Sequence, residues 1–228
     1  MLFVEDDYIF PHPDCVNRYG ILAVGGVLDK KSLFTAYLYG IFPWYNYEHE
    51  PIIWWNPVPR FVIFPENVKV AKSMKVYFNQ NRFRVTFDQC FESVIRSCEM
   101  APRKGQEGTW INEDIIYSYT ELFYAGFASS VEVWDGDSLV GGLYGVKIGK
   151  IFFGESMFSL VPNASKFGFI KLASRLAEEG FFVIDCQQPN DYLKSLGGEF
   201  ITGDLWKNML FRNRKYILQN DIWLPQNR

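Results

Sequence analysis

The sequence has little histidine and no paired cysteine motif. Among its 228 residues only His12 and His49 are histidines, and the four cysteines include no C-x-x-C pair. Two histidines are too few for a His-based metal site or a Ser-His-Asp triad, which argues against a metalloenzyme and a serine hydrolase. Cysteines at these spacings are expected to stay reduced and not to form a disulfide framework. The sequence therefore predicts no metal site.

Long apolar runs and a large net charge are also missing. The longest uninterrupted apolar runs, such as 151–153 and 181–184, are far shorter than the roughly 20 residues of a membrane-spanning helix. The N-terminus lacks the basic and apolar regions of a secretory signal, so we expect no membrane partner and a cytoplasmic location. A formal net charge of −3 argues against non-specific coating of nucleic acid but leaves room for a local basic surface.

The chain is instead rich in apolar and aromatic residues. These make up 48% and 18% of it, a composition typical of a folded, enzyme-sized protein. Asp29, Asp88 and Asn163 each stand where they could cap a helix. Apolar periodicity and turn residues predict helices at 29–39, 68–79, 88–98, 112–125 and 163–179, and strands at 61–64, 84–87, 131–134, 138–146, 150–153 and 181–184.

The order of these elements indicates the fold class. A stretch dense in Pro and Trp, 41–65, is interpreted as loops that cover a core. An antiparallel meander follows from 129 to 153, and a helix and a strand come after it. This order predicts an α+β protein with a small domain at 1–65 and a larger one at 66–228, the division falling between 65 and 90.

The segment Gly141-Gly142-Leu143-Tyr144-Gly145 superficially suggests a phosphate-binding loop. It lacks the G-K-[ST] ending of such a loop and the helix that would follow it. We therefore favour close backbone packing within a strand as the reason for these glycines.

Polar residues follow two predicted strands in the second half of the chain. Glu155 comes after the strand that ends at Phe153, and Asp185 and Gln187 lie at the end of the strand 181–184. A crossover helix between the strands can bring all three side chains to one cleft. The alternative is that the two carboxylates are solvated or bond loop amides. Cys186 is disfavoured as a nucleophile because no histidine lies near it in the sequence.

A set of motifs gives a family resemblance. They are Gly20-Ile21-Leu22-Ala23-Val24-Gly25-Gly26, Tyr39-Gly40-Ile41-Phe42-Pro43-Trp44, Trp54-Trp55-Asn56-Pro57, Pro59-Arg60, Thr109-Trp110-Ile111, Ser130-Val131-Glu132-Val133-Trp134, Leu139-Val140-Gly141-Gly142-Leu143-Tyr144-Gly145, Gly154-Glu155-Ser156-Met157-Phe158-Ser159, Ala164-Ser165-Lys166, Ile184-Asp185-Cys186-Gln187 and Ser195-Leu196-Gly197. In this order they resemble the leucyl/phenylalanyl-tRNA protein transferases, from about Tyr19 to Phe211. Each motif alone is weak, but the set is highly specific.

The resemblance implies a fold and an activity. The fold is a small N-terminal α+β domain plus a larger C-terminal GNAT-like domain, similar to the GNAT acetyltransferases. The reaction transfers Leu, Phe or Met from aminoacyl-tRNA to a protein that begins with Arg or Lys, and so marks that protein for N-end rule degradation. The activated ester supplies the driving force, so no cofactor or metal is expected. The family also suggests a monomer.

The resemblance implies roles for the three polar residues as well. Asp185 and Gln187 match a relay in which the carboxylate orients and polarises an amide that accepts a hydrogen bond from the attacking amine. An amide is a weak base, and an α-amino group with a pKa of about 7.7 to 8.0 is already partly neutral at pH 7. We therefore interpret Gln187 chiefly as a positioning group. Glu155 would receive the cationic end of the acceptor.

Three further sets of residues match the family's binding sites. The residues that match the pocket for the aminoacyl side chain are Leu143, Phe152, Met157, Phe169, Leu172, Leu176 and Ile184. Ordinary core packing explains each of them equally well. Trp110 and either Trp54 or Trp55 match the adenosine-stacking tryptophans, with core packing again the alternative. The expected contacts to the tRNA backbone are Lys72, Ser73, Lys75, Arg82 and Arg84, although a lysine-bearing helix is more often a solvated face.

The sequence departs from the family pattern in two places and leaves two rival functions open. Leu160 replaces the usual Arg after Met-Phe-Ser, and Val68-Lys69-Val70 replaces a His-rich segment. One rival is a GNAT-type transferase with another donor or acceptor, but no Gly-rich pyrophosphate loop for acetyl-CoA is present. The other is a tRNA-binding module without catalysis, which the three polar residues argue against.

Overall fold

The computed structural model describes residues 2–4, 9–45, 51–102 and 109–223. The strands in these ranges are β1 (Leu2–Val4), β2 (Ile21–Gly25), β3 (Phe42–Pro43), β4 (Ile53–Trp55), β5 (Arg60–Ile63), β6 (Arg84–Phe87), β7 (Ala128–Asp135), β8 (Ser138–Ile148), β9 (Ile151–Ser159), β10 (Val183–Asp185) and β11 (Glu199–Ile201). The helices are α1 (Lys30–Leu38), α2 (Lys72–Asn79), α3 (Phe91–Met100), α4 (Glu113–Tyr124), α5 (Ala164–Glu178), α6 (Asp191–Ser195) and α7 (Gly203–Gln219).

The strands form two sheets. A four-stranded sheet has the order β1-β2-β4-β3, and a seven-stranded sheet has the order β11-β5-β10-β9-β8-β7-β6. In the larger sheet β9 and β10 run parallel, joined through α5, whereas the other neighbours are antiparallel. Successive residues such as Phe152 and Phe153 enter separate apolar clusters on its two faces. The predicted mixed α+β architecture and the meander are confirmed.

The prediction of loops at 41–65 is wrong where β3 and β4 form, whereas the strand predicted at 61–64 is confirmed as β5. β3, β4 and β5 lie in this stretch, and β5 sits between β10 and β11 in the larger sheet. Its hydrogen-bond partners come from residues more than 100 positions later, a pairing that local turn propensities do not reveal. The chain thus passes from the smaller to the larger sheet between Trp55 and Arg60, while the domain division at 65 stays a prediction.

The predicted helix caps have different outcomes. Asp29 caps α1, since its Oδ1 accepts from the backbone N–H groups of Lys31 and Ser32. Asp88 does not cap α3; its carboxylate accepts from Ser129 and Ser130 on β7 instead. Asn163 precedes α5, but its side chain makes no cap hydrogen bond and donates to another helix. The predicted helix at 68–79 begins only at Lys72, because the backbone is extended at Val68 and the Lys69 N–H donates to the Leu196 carbonyl.

The glycines of β8 pack closely, as the sequence suggests. A Cβ atom on Gly141 would come within 2.7 Å of the Ala164 Cβ on α5. On Gly145 it would lie 2.3 Å from the Phe153 carbonyl oxygen and 2.6 Å from the Phe152 ring. Real Cβ atoms do not approach so closely, so the strand needs glycine at these positions to pack against its neighbours.

The third strand of the meander is longer than predicted and carries an irregularity. β9 does not end at Phe153 but continues to Ser159. Its register against β8 shifts between the pairs Gly145 with Gly154 and Tyr144 with Ser156, which leaves Glu155 without a partner residue opposite it. Such a bulge redirects a side chain and is common beside active sites. The bulge therefore explains why Glu155 projects differently from its neighbours.

Candidate active site

A cavity of about 420 Å³ opens beside β9 and β10. Its lining residues are Phe42, Pro43, Trp44, Trp110, Leu143, Tyr144, Phe152, Gly154, Glu155, Ser156, Met157, Phe169, Ile184, Cys186, Gln187, Gln188, Pro189, Asn190 and Leu193. Asp185 on β10 pairs with Phe153 on β9, so Glu155 and Gln187 each lie two residues beyond this pair on adjacent parallel strands. Glu155 and Gln187 therefore share the cavity, whereas Asp185, the third residue of the predicted cleft, is fully buried and does not line it.

The apolar part of the cavity contains most of the predicted side-chain pocket. Leu143, Phe152, Met157, Phe169 and Ile184 line it. Leu172 and Leu176 are buried in the same apolar cluster on α5 but do not line the cavity. The sequence left core packing open as an alternative for every predicted pocket residue. It describes Leu172 and Leu176, whereas the five lining residues stay candidates for binding the aminoacyl side chain.

The tryptophan prediction needs a correction. Trp54 is fully buried, and its Nε1 donates to the Gly25 carbonyl, so it offers no ring face to a ligand. Trp44 and Trp110 are the tryptophans that line the cavity. Trp55 lies behind Trp44: its Nε1 donates to the Trp44 carbonyl at 2.7 Å, and the two ring centroids are 5.4 Å apart. Trp44 is the last residue of the motif that begins at Tyr39. Its place in that motif was a sequence signal that could have identified it as a site residue.

Glu155 is held by two tyrosines that sequence reasoning missed. The hydroxyl of Tyr37 on α1 donates to Oε1 at 2.6 Å, and that of Tyr119 on α4 forms a hydrogen bond of 3.2 Å with Oε2. The Gln187 amide nitrogen is 3.5 Å from Oε1. Burial raises the pKa of Glu155 to about 8, although the two tyrosine hydrogen bonds act in the opposite direction. No sequence pattern links the three residues, which come from three separate elements.

Asp185 forms a buried ion pair with Arg60 on β5. Arg60 donates through Nε and Nη2 to the two carboxylate oxygens at 2.8 and 2.7 Å, and Nη2 also donates to the Gly40 carbonyl at 2.7 Å. Both side chains are fully buried. Arg60 belongs to one of the recognised motifs, but its role follows only from this contact.

Asp185 also positions the residue that enters the cavity. Its Oδ1 accepts the backbone N–H of Gln187 at 2.9 Å. Gln187 has a φ of 55°, in the left-handed region that non-glycine residues rarely adopt. The carboxylate therefore acts on Gln187 through the backbone, and any effect on the amide group is indirect.

The thiol of Cys186 also faces this site. Its Sγ is 3.8 Å from the Ile184 carbonyl oxygen. Burial, followed by the nearby charge of Asp185, raises the pKa of the thiol well above its usual value. A thiol that holds its proton so firmly is a poor nucleophile, in line with the sequence interpretation.

The predicted tRNA-backbone residues lie outside the cavity. Lys72, Ser73 and Lys75 are exposed on or beside α2. Arg82 forms a bidentate pair with Asp135 at 2.7 and 2.6 Å, and Arg84 lies over the Trp134 ring. The two lysines are therefore better placed than Arg82 to meet a phosphate, because Asp135 already neutralises part of the charge of Arg82.

The described ranges lack two kinds of feature. No group of three His, Cys, Asp or Glu side chains there could hold a metal ion. None of the helices in these ranges combines the length and apolar character needed to cross a membrane.

Comparison with known proteins identifies related sequences. Residues 62–211 match the profile of the leucyl/phenylalanyl-tRNA protein transferases, and residues 26–58 match that of the N-terminal domain of the same proteins. A leucyl/phenylalanyl-tRNA protein transferase of Christiangramia forsetii is 52% identical over 88% of this chain and 95% of its own length. One of Pseudomonas fluorescens is 50% identical over 85% of both chains.

One solved structure is far less similar to this chain. A conserved protein of unknown function from Bacteroides thetaiotaomicron aligns at 12% identity over 66% of this chain and 54% of its own, with a TM-score of 0.44, too weak a likeness to carry an argument. The sequence relatives, in contrast, are close and match nearly the whole chain. The chain therefore belongs to the leucyl/phenylalanyl-tRNA protein transferase family.

Proposed function

We propose that this chain transfers leucine or phenylalanine from a charged tRNA to the N-terminus of a protein that begins with arginine or lysine. Membership of the family makes it an aminoacyltransferase. The observation that carries the proposal for the site is a cavity with apolar walls, two tryptophans and one carboxyl group. These parts fit an apolar side chain, an adenosine and a cation respectively.

The aminoacyl side chain would occupy the apolar part of the cavity. Leu143, Phe152, Met157, Phe169 and Ile184 offer it no charged partner. A pocket of this kind distinguishes side chains by only about 1 to 3 kcal/mol per methylene, so leucine, phenylalanine and methionine are all acceptable donors. Leu172 and Leu176 would support the pocket from behind.

The terminal adenosine would stack on Trp44 and Trp110. Both line the cavity, and Trp55 holds Trp44 through its carbonyl and its ring. Stacking of a base on an aromatic side chain contributes about 1 to 3 kcal/mol. This arrangement would leave the ester at the 3′ end between the apolar residues and Gln187.

The reaction is attack of the acceptor's α-amine on the ester carbonyl, with the tRNA 3′ hydroxyl as the leaving group. The amine loses a proton and the leaving oxygen gains one, so the reaction needs no external oxidant, reductant or added cofactor. Gln187 would orient the amine, and the Arg60–Asp185 pair would hold Gln187 through its backbone. Proximity supplies most of the acceleration in such a site. Glu155 would receive the guanidinium or ammonium group of the acceptor's first side chain.

Four wider proposals go with this function. The antiparallel β7-β8-β9 meander, followed by α5 and the parallel strand β10, supports a GNAT-like larger domain. Use of charged tRNA supports a cytoplasmic site of action, and the family suggests a monomer. A modified acceptor would then be marked for N-end rule degradation.

A transfer assay tests the function. Purified protein is mixed with radiolabelled Leu-tRNA, Phe-tRNA or Met-tRNA and with peptides that begin with Arg, Lys or Ala, in the absence of ATP and added metal. We expect label in the Arg and Lys peptides only. Binding of tRNA without transfer to any peptide would contradict the proposal and favour a tRNA-binding module.

Trp44→Ala is expected to raise the KM for aminoacyl-tRNA by about 5-fold to 150-fold, because a stacked base contributes about 1 to 3 kcal/mol. Steady-state kinetics with saturating acceptor peptide measure this change. Trp223→Ala is the matched control, since Trp223 is exposed and does not line the cavity. If both substitutions change the KM for aminoacyl-tRNA equally, Trp44 does not stack on the adenosine.

A Lys72→Ala/Lys75→Ala variant is expected to bind tRNA with a weaker salt dependence. Each lost phosphate contact reduces the slope of log K against log salt by about 0.7 to 0.9. Filter binding at several salt concentrations measures the slope. Lys30→Ala serves as the control, because Lys30 pairs with Glu121. If the slope of log K against log salt is unchanged in the double variant, these lysines do not contact tRNA and form an ordinary solvated face.

A further inference from the structure

Glu155, Tyr37 and Tyr119 form a closed triangle of oxygen contacts. The Tyr37 oxygen is 2.6 Å from Oε1 of Glu155 and 2.6 Å from the Tyr119 oxygen, and the Tyr119 oxygen is 3.2 Å from Oε2. Both tyrosine side chains are fully buried. Each hydroxyl carries one proton to donate, so the number of protons in the triangle decides which contacts can be hydrogen bonds.

The contacts fit three protons better than two. If Glu155 is ionised, two hydroxyl protons must serve three contacts, and one pair of oxygens is left without a proton between them. If Glu155 carries a proton on Oε2, the carboxyl donates to Tyr119, Tyr119 donates to Tyr37 and Tyr37 donates to Oε1. Every contact is then a hydrogen bond, and no buried polar atom of the triangle lacks a partner.

The surroundings of Glu155 supply no net positive charge. The groups that act on it are Tyr37 from α1, Tyr119 from α4, Asp185 and Gln187 from the end of β10, and Arg60 from β5. Arg60 is bound through two nitrogens to Asp185, so this pair is neutral as a whole. Within the described residues Glu155 has no ion-pair partner of its own. Tyr144 on β8 lies next to Tyr119, with ring centroids 5.8 Å apart.

We propose that Glu155 is a neutral acid in the empty cavity and releases its proton when the cationic side chain of an acceptor binds, while the Tyr119 hydroxyl turns from Tyr37 to Glu155. The proton passes to solvent, and no other covalent bond changes. This inference rests on the proposed role of Glu155 in acceptor binding. Tyr119 is then a positioning residue whose hydroxyl stabilises the carboxylate once its proton has left.

The proton exchange gives the site its charge specificity. A guanidinium or ammonium group forms an ion pair that favours the ionised carboxyl, which offsets the cost of removing the proton. A neutral side chain offers no such gain, so Glu155 stays protonated beside it. The site therefore presents no buried anion to solvent or to the apolar donor between turnovers.

The test is calorimetric titration with a peptide whose first residue is desamino-arginine. This probe keeps the guanidinium but has no α-amine that could titrate. Binding heats measured at pH 7 in buffers of different ionisation enthalpy give the number of protons released, which we expect to be close to one. Burial raises the pKa of Glu155 to about 8, so affinity should rise about tenfold per pH unit from pH 6 and level off above pH 8.

Two variants separate Glu155 from its positioning residue. Glu155→Gln is expected to release no proton and to bind weakly without pH dependence. Tyr119→Phe removes the hydroxyl that turns to the carboxylate, so the pH at which affinity levels off should move upward. Tyr117→Phe is the matched control on the same helix, where Tyr117 is exposed, and it should leave the pH profile unchanged.

The outcomes distinguish this inference from the proposed function. Tight binding with no proton release and a flat pH profile would refute the inference that Glu155 is protonated before binding. Glu155 would still be the site that binds the cation. Equal affinity of wild type and Glu155→Gln, or no binding by wild type, would overturn both. Infrared difference spectra of the free proteins at pH 7 give a direct check: wild type should show a carboxylic acid C=O band that Glu155→Gln lacks, and its absence would refute the inference.

Discussion

Asp185→Asn is expected to destabilise the protein by about 3 to 5 kcal/mol, the usual cost of removing one partner from a buried ion pair. The remaining partner, Arg60, is fully buried and would keep an uncompensated charge. A guanidinium group cannot give up its proton in a protein, whereas a carboxylate left alone can accept one. Arg60→Met should therefore cost less than Asp185→Asn.

Urea unfolding of the two single variants and of Arg60→Met/Asp185→Asn measures these differences. The double variant removes both charges, so it should be more stable than Asp185→Asn alone. The side-chain amide introduced by Asp185→Asn would still offer an oxygen to the Gln187 backbone N–H, so transfer activity should persist in the double variant. Additive costs in the double variant would mean that the two residues do not act as a pair.

This comparison also tests how Asp185 contributes to catalysis. The structure connects it to Gln187 through a backbone hydrogen bond of 2.9 Å. If Asp185 acted as a base, the double variant would lose kcat by several orders of magnitude even where it is fully folded. If it acts by positioning, the folded double variant should keep most of its kcat.

Glu155→Gln is expected to reduce kcat/KM for Arg and Lys peptides by about 30-fold to several thousand-fold, which corresponds to the 2 to 5 kcal/mol lost when one partner of a buried charge pair is removed. The glutamine has nearly the same shape: its amide oxygen can still accept from Tyr37, and its amide nitrogen can donate to the Tyr119 oxygen. The fold and the donor site should therefore be preserved, so the loss should appear with the acceptor alone.

Kinetics with both substrates varied separate these effects. The KM for Phe-tRNA should stay within about twofold of wild type, while the KM for the Arg peptide should rise. Phe200→Ala is a suitable control, because Phe200 is exposed and outside the cavity. An equally large rise in the KM for Phe-tRNA would point to general damage and not to loss of a cation site.

Several features could be predicted because local chemistry determines them. The sequence Asp29-Lys30-Lys31-Ser32 contains both halves of a capping box, and α1 begins there. The two-residue turn Gly136-Asp137 and alternating apolar residues predict the meander, and β7 and β8 form it. Contacts in these features span only a few residues, so their patterns survive in the linear sequence.

Other features could not be predicted because their partners are distant in the chain. Asp88 resembles a helix cap, yet Ser129 and Ser130 on β7 take its carboxylate. Trp54 and Trp55 are adjacent, and only the pairing of β4 with β2 decides which ring is buried in the core. Trp44, which the sequence interpretation passed over, enters the cavity from the neighbouring strand segment.

The sequence by itself determined the family, the mixed α+β class and the candidates Glu155, Asp185 and Gln187, because motif order and local periodicity are properties of the linear chain. Only the tertiary structure decided what these residues contact. The bulge in β9 directs Glu155 toward Tyr37 and Tyr119, and strand β5 delivers Arg60 to Asp185. Buried hydrogen bonds and ion pairs join residues up to 125 positions apart, and the protonation of a carboxyl group depends on such neighbours and on burial, which no local pattern specifies.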